Sequence, residues 1–337
     1  FLEQQSLRLA DVLLSPSAHM IRWLGLQGWR PGGEPRVMPL LVPREARKLL
    51  SDMIADMGER PNPRVHRRVS EMVFFGRLES RKGLVEFCDA VDAILLDDSA
   101  PLLRVAFLGG TRGTVGGLPS RDYVLRRAEA WKQKGLSMEV IDNLDTKGAL
   151  RYLMGGGGNR CAVLPSRVEN SPQSVLELIA AGVPFLASAA GGIPELIASK
   201  DHGECLFPPR NASALSRAML RAINYGVVVP RAARSMDDLE RSWLDLHAYI
   251  PGSPAWQACF EGRAGARLAI EGGLSDGAAG GDPAAQPGGD GAAAGSREPI
   301  QVSACVLTSD LTKVGDLRAT TLSLLDQAGD DSVMEVR

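Results

Sequence analysis

Two glutamates, Glu169 and Glu177, stand with seven residues between them in the string ENSPQSVLE, directly after the apolar run 162–165. Ser171 followed by Pro172 is a helix cap and first-turn pair, so a helix is expected over 172–181. Its start leaves the backbone N–H groups of Gln173 and Ser174 without intrahelical partners. Those donors, with the positive end of the helix dipole, make an anion site. Glu177 follows inside the helix, flanked by Val175, Leu176, Leu178 and Ile179. A carboxylate so placed is partly buried and needs donors, and the vicinal hydroxyls of a ribose would suit its two oxygens. Glu169, with Asn170 beside it, stands before the helix where it can accept from another polyol hydroxyl. Each residue alone also fits a plain structural role: a cap, an ion pair or a loop charge. The combination is what points to a ligand.

Two further segments carry chemistry of the same kind. Gly76, Arg77, Leu78, Glu79, Ser80, Arg81, Lys82 and Gly83 form a short loop between a strand and a helix. Arg77 sits at the strand's carboxyl end and Lys82 beside the helix start, so two cations can converge on a diphosphate. A solvated basic loop is the alternative. Ala189-Ala190-Gly191-Gly192-Ile193-Pro194-Glu195 is a small-residue loop opening a helix, and its glycines allow a backbone to approach a ligand closely or simply to turn.

The elements that must position these residues alternate along the chain. Apolar runs at 71–75, 104–108, 138–141, 162–165 and 184–188 read as strands, and 83–96, 121–134, 147–154 and 172–181 read as helices, with a helical turn at 194–198. Strands alternating with helices predict an α/β fold, a doubly wound parallel sheet whose ligands gather at the carboxyl ends of its strands. Before it, helices are expected at 3–9 and 18–26, strands at 12–15 and 37–42, and a polar crossing or surface connection over 43–68. Two closing helices follow at 213–225 and 235–247. Between 271 and 297, 16 of 27 residues are Gly or Ala and none is aromatic, a composition that reads as a flexible linker. A strand at 301–307 and a helix at 317–327 then suggest a second α/β unit.

The 337 residues carry a formal charge of −2, with 45% hydrophobic and 23% charged residues, an ordinary globular composition without a field that would attract nucleic acid or an anionic membrane. Of 38 basic residues, 31 are Arg, so each arginine must be argued by position. Cys88, Cys161, Cys205, Cys259 and Cys305 lie far apart and offer no metal-ligand spacing, which implies a reducing, cytoplasmic setting. No run is long and apolar enough to span a bilayer. The chain opens at Phe1 without a leader, and further sequence upstream, including any targeting segment, is expected. His19, His66, His202 and His247 are isolated and read as surface or interface residues. Trp23, Trp29 and Trp243 read as packing residues.

The strings VFFGRLESRKGL and LPSRVENSPQSVLELIAAGVPFLASAAGGIPELI, in this order and spacing, resemble the C-terminal domain of the family 4 (group 1) glycosyltransferases, which have the GT-B fold. The resemblance runs from about residue 10 to about residue 247. It implies a retaining, metal-independent hexosyltransferase that needs no cofactor and uses a nucleoside diphosphate sugar as donor, with a glycan, lipid or protein acceptor left open. Carried over to matching positions, Arg77 and Lys82 hold the donor diphosphate, Glu177 the ribose, and Glu169 a hydroxyl of the transferred sugar. Gly76, Asn170, Ser171, Gln173, Ser174, Gly191 and Gly192 line the donor, and Asn143 and Leu144 face the nucleobase. Two departures stand out. Asn170-Ser171-Pro172 replaces the glycine-rich turn common after the first glutamate, and nearly all of the acceptor-binding N-terminal domain is absent.

The tail IQVSACVLTSDLTKVGDLRATTLSLLDQAG is similar to the opening strand and helix of family 2, GT-A glycosyltransferases, with Thr308 and Asp310 at the first nucleotide-contacting loop. The expected organisation is thus a remnant and crossing over 1–68, a donor-binding domain over 69–250, a linker over 251–298 and the start of a GT-A-like domain over 299–337. Two other readings compete: a non-catalytic nucleotide-sugar-binding scaffold, and a GT-B-related epimerase that would turn over donor without acceptor.

Overall fold

Runs such as Met72–Val73–Phe74 and Val105–Ala106–Phe107 are apolar at every position, the pattern of strands covered on both faces. In the computed structural model, which describes residues 2–10, 12–56, 69–96, 104–155 and 159–248, they are the middle of a six-stranded parallel sheet. In chain order α1 (Leu2–Leu9), β1 (Leu13–Ser15), α2 (Ala18–Leu26), β2 (Pro35–Val37) and α3 (Arg44–Asp56) come first. Then follow β3 (Glu71–Phe75), α4 (Leu84–Leu95), β4 (Arg104–Leu108), β5 (Thr114–Val115), β6 (Leu118–Pro119), α5 (Ser120–Gln133), β7 (Ser137–Ile141) and α6 (Thr146–Met154). The remaining elements are β8 (Arg160–Leu164), α7 (Gln173–Ala180), β9 (Phe185–Ser188), α8 (Ile193–Leu196), α9 (His202–Cys205), β10 (Leu206–Phe207), α10 (Ala212–Tyr225) and α11 (Met236–Ala248).

The strand order is β10-β9-β8-β3-β4-β7, all neighbours parallel. From β3 the chain first builds outward through β4 to β7, then returns to β8 and builds the other way. The reversal lies between β3 and β8, so the loops leaving these two strands diverge and open a crevice.

Alternate side chains of each strand enter separate cores. Phe74 and Phe107 join Phe87, Trp131, Leu215 and Met219 on the face covered by α4, α5 and α10, while Val73, Ala106 and Ala162 join Leu150, Val175 and Leu178 on the face of α6 and α7. The first core holds an aromatic chain, with ring centroids 5.5 Å apart for Phe74 and Phe87, 5.4 Å for Phe87 and Phe107, and 6.2 Å for Phe107 and Trp131. Such pairs contribute about 1 kcal/mol each beyond their area. Asp92 accepts from the Trp131 indole N–H and from Arg127, tying α5 to α4.

The chain divides into two compact units. One holds α1, β1 and most of β2. The other holds α2 and α3, the whole six-stranded sheet and its helices, and it carries every residue discussed below.

Several expectations need correction. The segment 43–68 is not a plain connection, because α3 occupies Arg44–Asp56. Ala46, Leu49, Leu50 and Met53 fall on one helical face, and all four belong to or pack on the second core. The strand expected at 37–42 is the shorter β2, ending at Val37. Between β4 and α5 a small antiparallel hairpin, β5–β6, turns on Gly116 and Gly117, both at positive φ. Trp23 is 42% exposed. Trp243 does pack, its indole N–H donating to the Pro39 carbonyl at 2.9 Å. The expected linker, the family 2-like tail with Thr308 and Asp310, and His66 lie outside the described residues.

Candidate functional site

The loop leaving β3 runs from Gly76 through a single 3-10 turn, Ser80–Lys82, to Gly83. Gly83 has φ +78°, and a Cβ there would lie 1.9 Å from the carbonyl oxygen of Pro165 in the loop leaving β8. Only glycine permits this contact, which presses the two loops together at the reversal point. Arg167 N–H donates to the Arg81 carbonyl at 2.9 Å and locks the same seam.

The consequence is an ion pair across 87 residues of sequence: Lys82 Nζ donates to Glu169 Oε1. Glu169 is 5% exposed. The Ser166 hydroxyl donates to the same oxygen at 2.9 Å, and Ser166 is held in turn by Ser188 Oγ donating to its carbonyl at 2.5 Å. Among the described residues no hydrogen bond reaches Glu169 Oε2, so one of its two oxygens stays open as an acceptor. A buried carboxylate paired on one oxygen and open on the other suits a ligand hydroxyl.

Gly191 and Gly192, in the loop leaving β9, close on the backbone beside it. A Cβ on Gly191, at φ +59°, would lie 1.6 Å from the Glu169 carbonyl oxygen, and one on Gly192 would lie 2.1 Å from that of Asn170. Thus three loops, after β3, β8 and β9, converge on the Glu169–Asn170 segment.

Helix α7 begins one residue later than expected. Its N-cap is Pro172, not Ser171, and no side chain caps it. The Ser171 hydroxyl does not bond the helix start; it is buried and has no hydrogen-bond partner. Pro172 with extended ψ of 122° turns the chain before the helix, which carries Ser171 out of capping reach. The expectation that Gln173 and Ser174 head the helix holds, and helix geometry leaves their N–H groups without intrahelical acceptors. Asn170 Nδ2 is likewise buried without a partner. The Gln173 side-chain amide donates to the Leu41 carbonyl at 2.6 Å. Glu177 is half-buried on α7, in keeping with its flanking apolar residues.

Arg77 and Lys82 leave the same loop but differ in setting. Arg77 is exposed and lies 3.4 Å from Glu79, which also takes Arg81 at 3.1 Å. Lys82 is mostly buried against Glu169. Asn143 and Leu144 follow β7, at the edge of the sheet two strands from β3, and both are exposed. With strands about 4.8 Å apart, that edge is about 10 Å from β3. Asp142, at the same edge, accepts from Thr111 and from Arg121, each at 2.9 Å.

Sequence reasoning missed Ser166, Thr111, Arg121 and Asp142. All four follow or face strand carboxyl ends, a position signal that the string alone carries once the strands are drawn. It also gave no role to Ser17 or Glu195, which meet the site through tertiary contacts. Among the described residues no group of three or more His, Cys, Asp or Glu side chains converges as a metal ligand set, and no helix is long and apolar enough to cross a membrane. Cys88, Cys161 and Cys205 are buried free thiols whose pKa burial raises, that of Cys205 to about 12. They stay protonated and unreactive.

Residues 70–225 match the family described as glycosyl transferases group 1. The teichuronic acid biosynthesis glycosyltransferase TuaC of Bacillus subtilis, a curated relative whose own assignment is provisional, is 28% identical over 173 residues, 51% of this chain and 38% of that protein. Glycogen synthase of Mycobacterium tuberculosis is 29% identical over 167 residues, 49% of this chain and 37% of that one. The matched stretch is thus well under half of these relatives' length. Among solved structures, Anabaena HepE in complex with UDP superposes with a TM-score of 0.51 at 16% identity, covering 73% of this chain and 65% of that one. That likeness bears on the fold alone, and it agrees with the parallel six-stranded sheet. The same protein has been solved with UDP and glucose.

Proposed function

We propose that this chain, whose residues 70–225 match the group 1 glycosyltransferases, carries the donor-binding half of a retaining, metal-independent glycosyltransferase. Its substrate is a nucleoside diphosphate hexose, and no cofactor takes part. The observation that carries the reading is Glu169, buried at the reversal between β3 and β8, paired on one oxygen with Lys82 and open on the other.

In this reading the anomeric carbon–oxygen bond to phosphate breaks and the nucleoside diphosphate leaves with the electron pair. Charge grows on the departing phosphate, and Arg77, Lys82 and the N–H groups of Gln173 and Ser174 stabilise it. Glu169 orients a hydroxyl of the sugar, Glu177 receives the ribose, and Asn143 and Leu144 flank the base at the sheet edge. Gly76, Gly191 and Gly192 let the backbone come close, and Asn170 and Ser171 add donors. The acceptor oxygen attacks from the face the phosphate leaves. The acceptor is a glycan, lipid or protein, and the setting is cytoplasmic. A relative named as a glycosyltransferase, another named as a glycogen synthase, and a similar fold solved with UDP support this assignment.

Calorimetric titration of the chain with UDP, ADP and GDP tests it. One of them should bind, and Arg77→Ala and Glu177→Ala should each weaken it about 10-fold, the loss of one charge-assisted contact. A folded chain that binds none of them, or binding indifferent to both changes, overturns the assignment.

A further inference from the structure

Glu195 and Ser17 have no place in the scheme above, yet both meet the donor loops. Glu195, on α8, accepts the backbone N–H of Ala18 and of His19 on its two oxygens, each at 2.7 Å, and takes Arg22 at 3.2 Å. It therefore supplies from another element the anionic cap at the start of α2. Ser17 stands immediately before that turn. Its Oγ accepts the Met20 N–H at 3.1 Å and its hydroxyl donates to Asn170 Oδ1. Gly192 closes the cluster, since a Cβ there would lie 2.1 Å from the Asn170 carbonyl and 2.7 Å from Ser17 Cβ.

An Asn carboxamide can turn over and exchange its donor and acceptor ends. Ser17 Oγ receives Met20 N–H and donates to Oδ1 of Asn170, which places Nδ2 on the other side of the carboxamide. There Nδ2 is buried with no hydrogen-bond partner, and the hydroxyl of the following residue, Ser171, is in the same condition. A buried donor left unpaired is costly, and the cost is recovered when an oxygen of a ligand accepts from it.

We propose that Ser17, seated by Glu195, is a positioning residue that holds the Asn170 carboxamide with Nδ2 presented to an oxygen of the bound nucleotide sugar. This rests on the donor-binding reading given above. Ser17 touches no ligand itself and acts only through Asn170.

The test is titration of the chain with UDP-glucose, ADP-glucose and GDP-glucose, alongside thermal melting of each variant. Asn170→Ala should weaken the best ligand about 10-fold, the loss of one buried hydrogen bond that leaves a partner unpaired. Ser17→Ala and Glu195→Ala should each cost about 3-fold to 10-fold, with Glu195→Gln intermediate because it keeps one acceptor oxygen. The decisive result is the double variant: Ser17→Ala with Asn170→Ala should bind no more weakly than Asn170→Ala alone, since Ser17 has nothing left to orient. Additive losses, or lowered melting with unchanged affinity, overturn the inference and leave the donor site standing. A folded parent chain that binds none of the three overturns both. Should Ser17→Ala fail to fold, Ser17→Cys keeps the shape, loses most of the hydrogen bond and carries the same comparison.

Discussion

Two buried glutamates lie at opposite ends of the sheet, Glu71 at the amino end of β3 and Glu169 beyond the carboxyl end of β8. Glu71 is occupied on both oxygens: Tyr152 donates to Oε1, and Arg160 donates to Oε2 at 2.8 Å, with Arg104 3.3 Å from Oε1. Arg160 also lies over the Tyr152 ring, 3.9 Å from its centroid. Glu169 has Lys82 and Ser166 on one oxygen, and beside it Asn170 Nδ2 and Ser171 Oγ remain unpartnered. Similar burial thus serves two purposes. A carboxylate saturated by its own chain holds the fold, and one left half-open is, in the proposed reading, the one that meets a ligand.

The comparison breaks if the two glutamates respond alike to mutation. The largest effect should come from Gly191→Ala, whose Cβ would collide with the Glu169 carbonyl from a left-handed backbone. A loss of about 3 kcal/mol or more is expected by urea denaturation, together with loss of nucleotide binding. Glu71→Ala strands Arg160 and should cost about 3 kcal/mol of stability. The surviving folded fraction should bind donor with parental affinity. Lys82→Ala should instead lower nucleotide affinity about 100-fold when measured by calorimetry, because it removes a charge-assisted contact to phosphate and also leaves the buried Glu169 carboxylate without its cation.

A pH series sharpens the same contrast. Burial, and then the hydrogen bond to Glu71, push the Tyr152 phenol up from 10.0 to about 12. The folded state therefore favours the protonated phenol, and its contribution to stability is complete below pH 10 and lost as pH climbs from 10 toward 12. Urea midpoints should fall across that window, and Tyr152→Phe should flatten the fall. The smallest effect belongs to Leu144→Ala at the exposed sheet edge. It should change affinity about twofold, the value of a small apolar contact, and leave stability unaltered.

Much of the fold was legible because its signals are local. Strands such as 71–75 and 104–108 are continuous apolar runs, and their alternation with helices dictates a parallel sheet. α3 escaped notice because Pro61 and Pro63 drew attention away from the helical spacing of Leu49, Leu50 and Met53. The two-residue strands β5 and β6 carry no periodicity, although Gly116-Gly117 is a recognisable hairpin turn. At the site, residue types were readable and pairings were not. Lys82 and Glu169 were both singled out, but their contact depends on Gly83 lying against Pro165, which no spacing expresses. Ser171 was misjudged because a Ser-Pro pair fits a helix start equally well with the cap on either residue. The contacts of Ser17 with Asn170 and of Glu195 with the start of α2 join residues far apart in the chain and left no local trace.

The most direct test titrates Glu169→Gln and Glu71→Gln, at equal folded fraction, with a nucleoside diphosphate and with its glucose conjugate. The account predicts that Glu169→Gln erases the preference for the conjugate while Glu71→Gln preserves it. Retention of that preference by Glu169→Gln, or its loss in Glu71→Gln alone, would contradict the assignment of the sugar to Glu169.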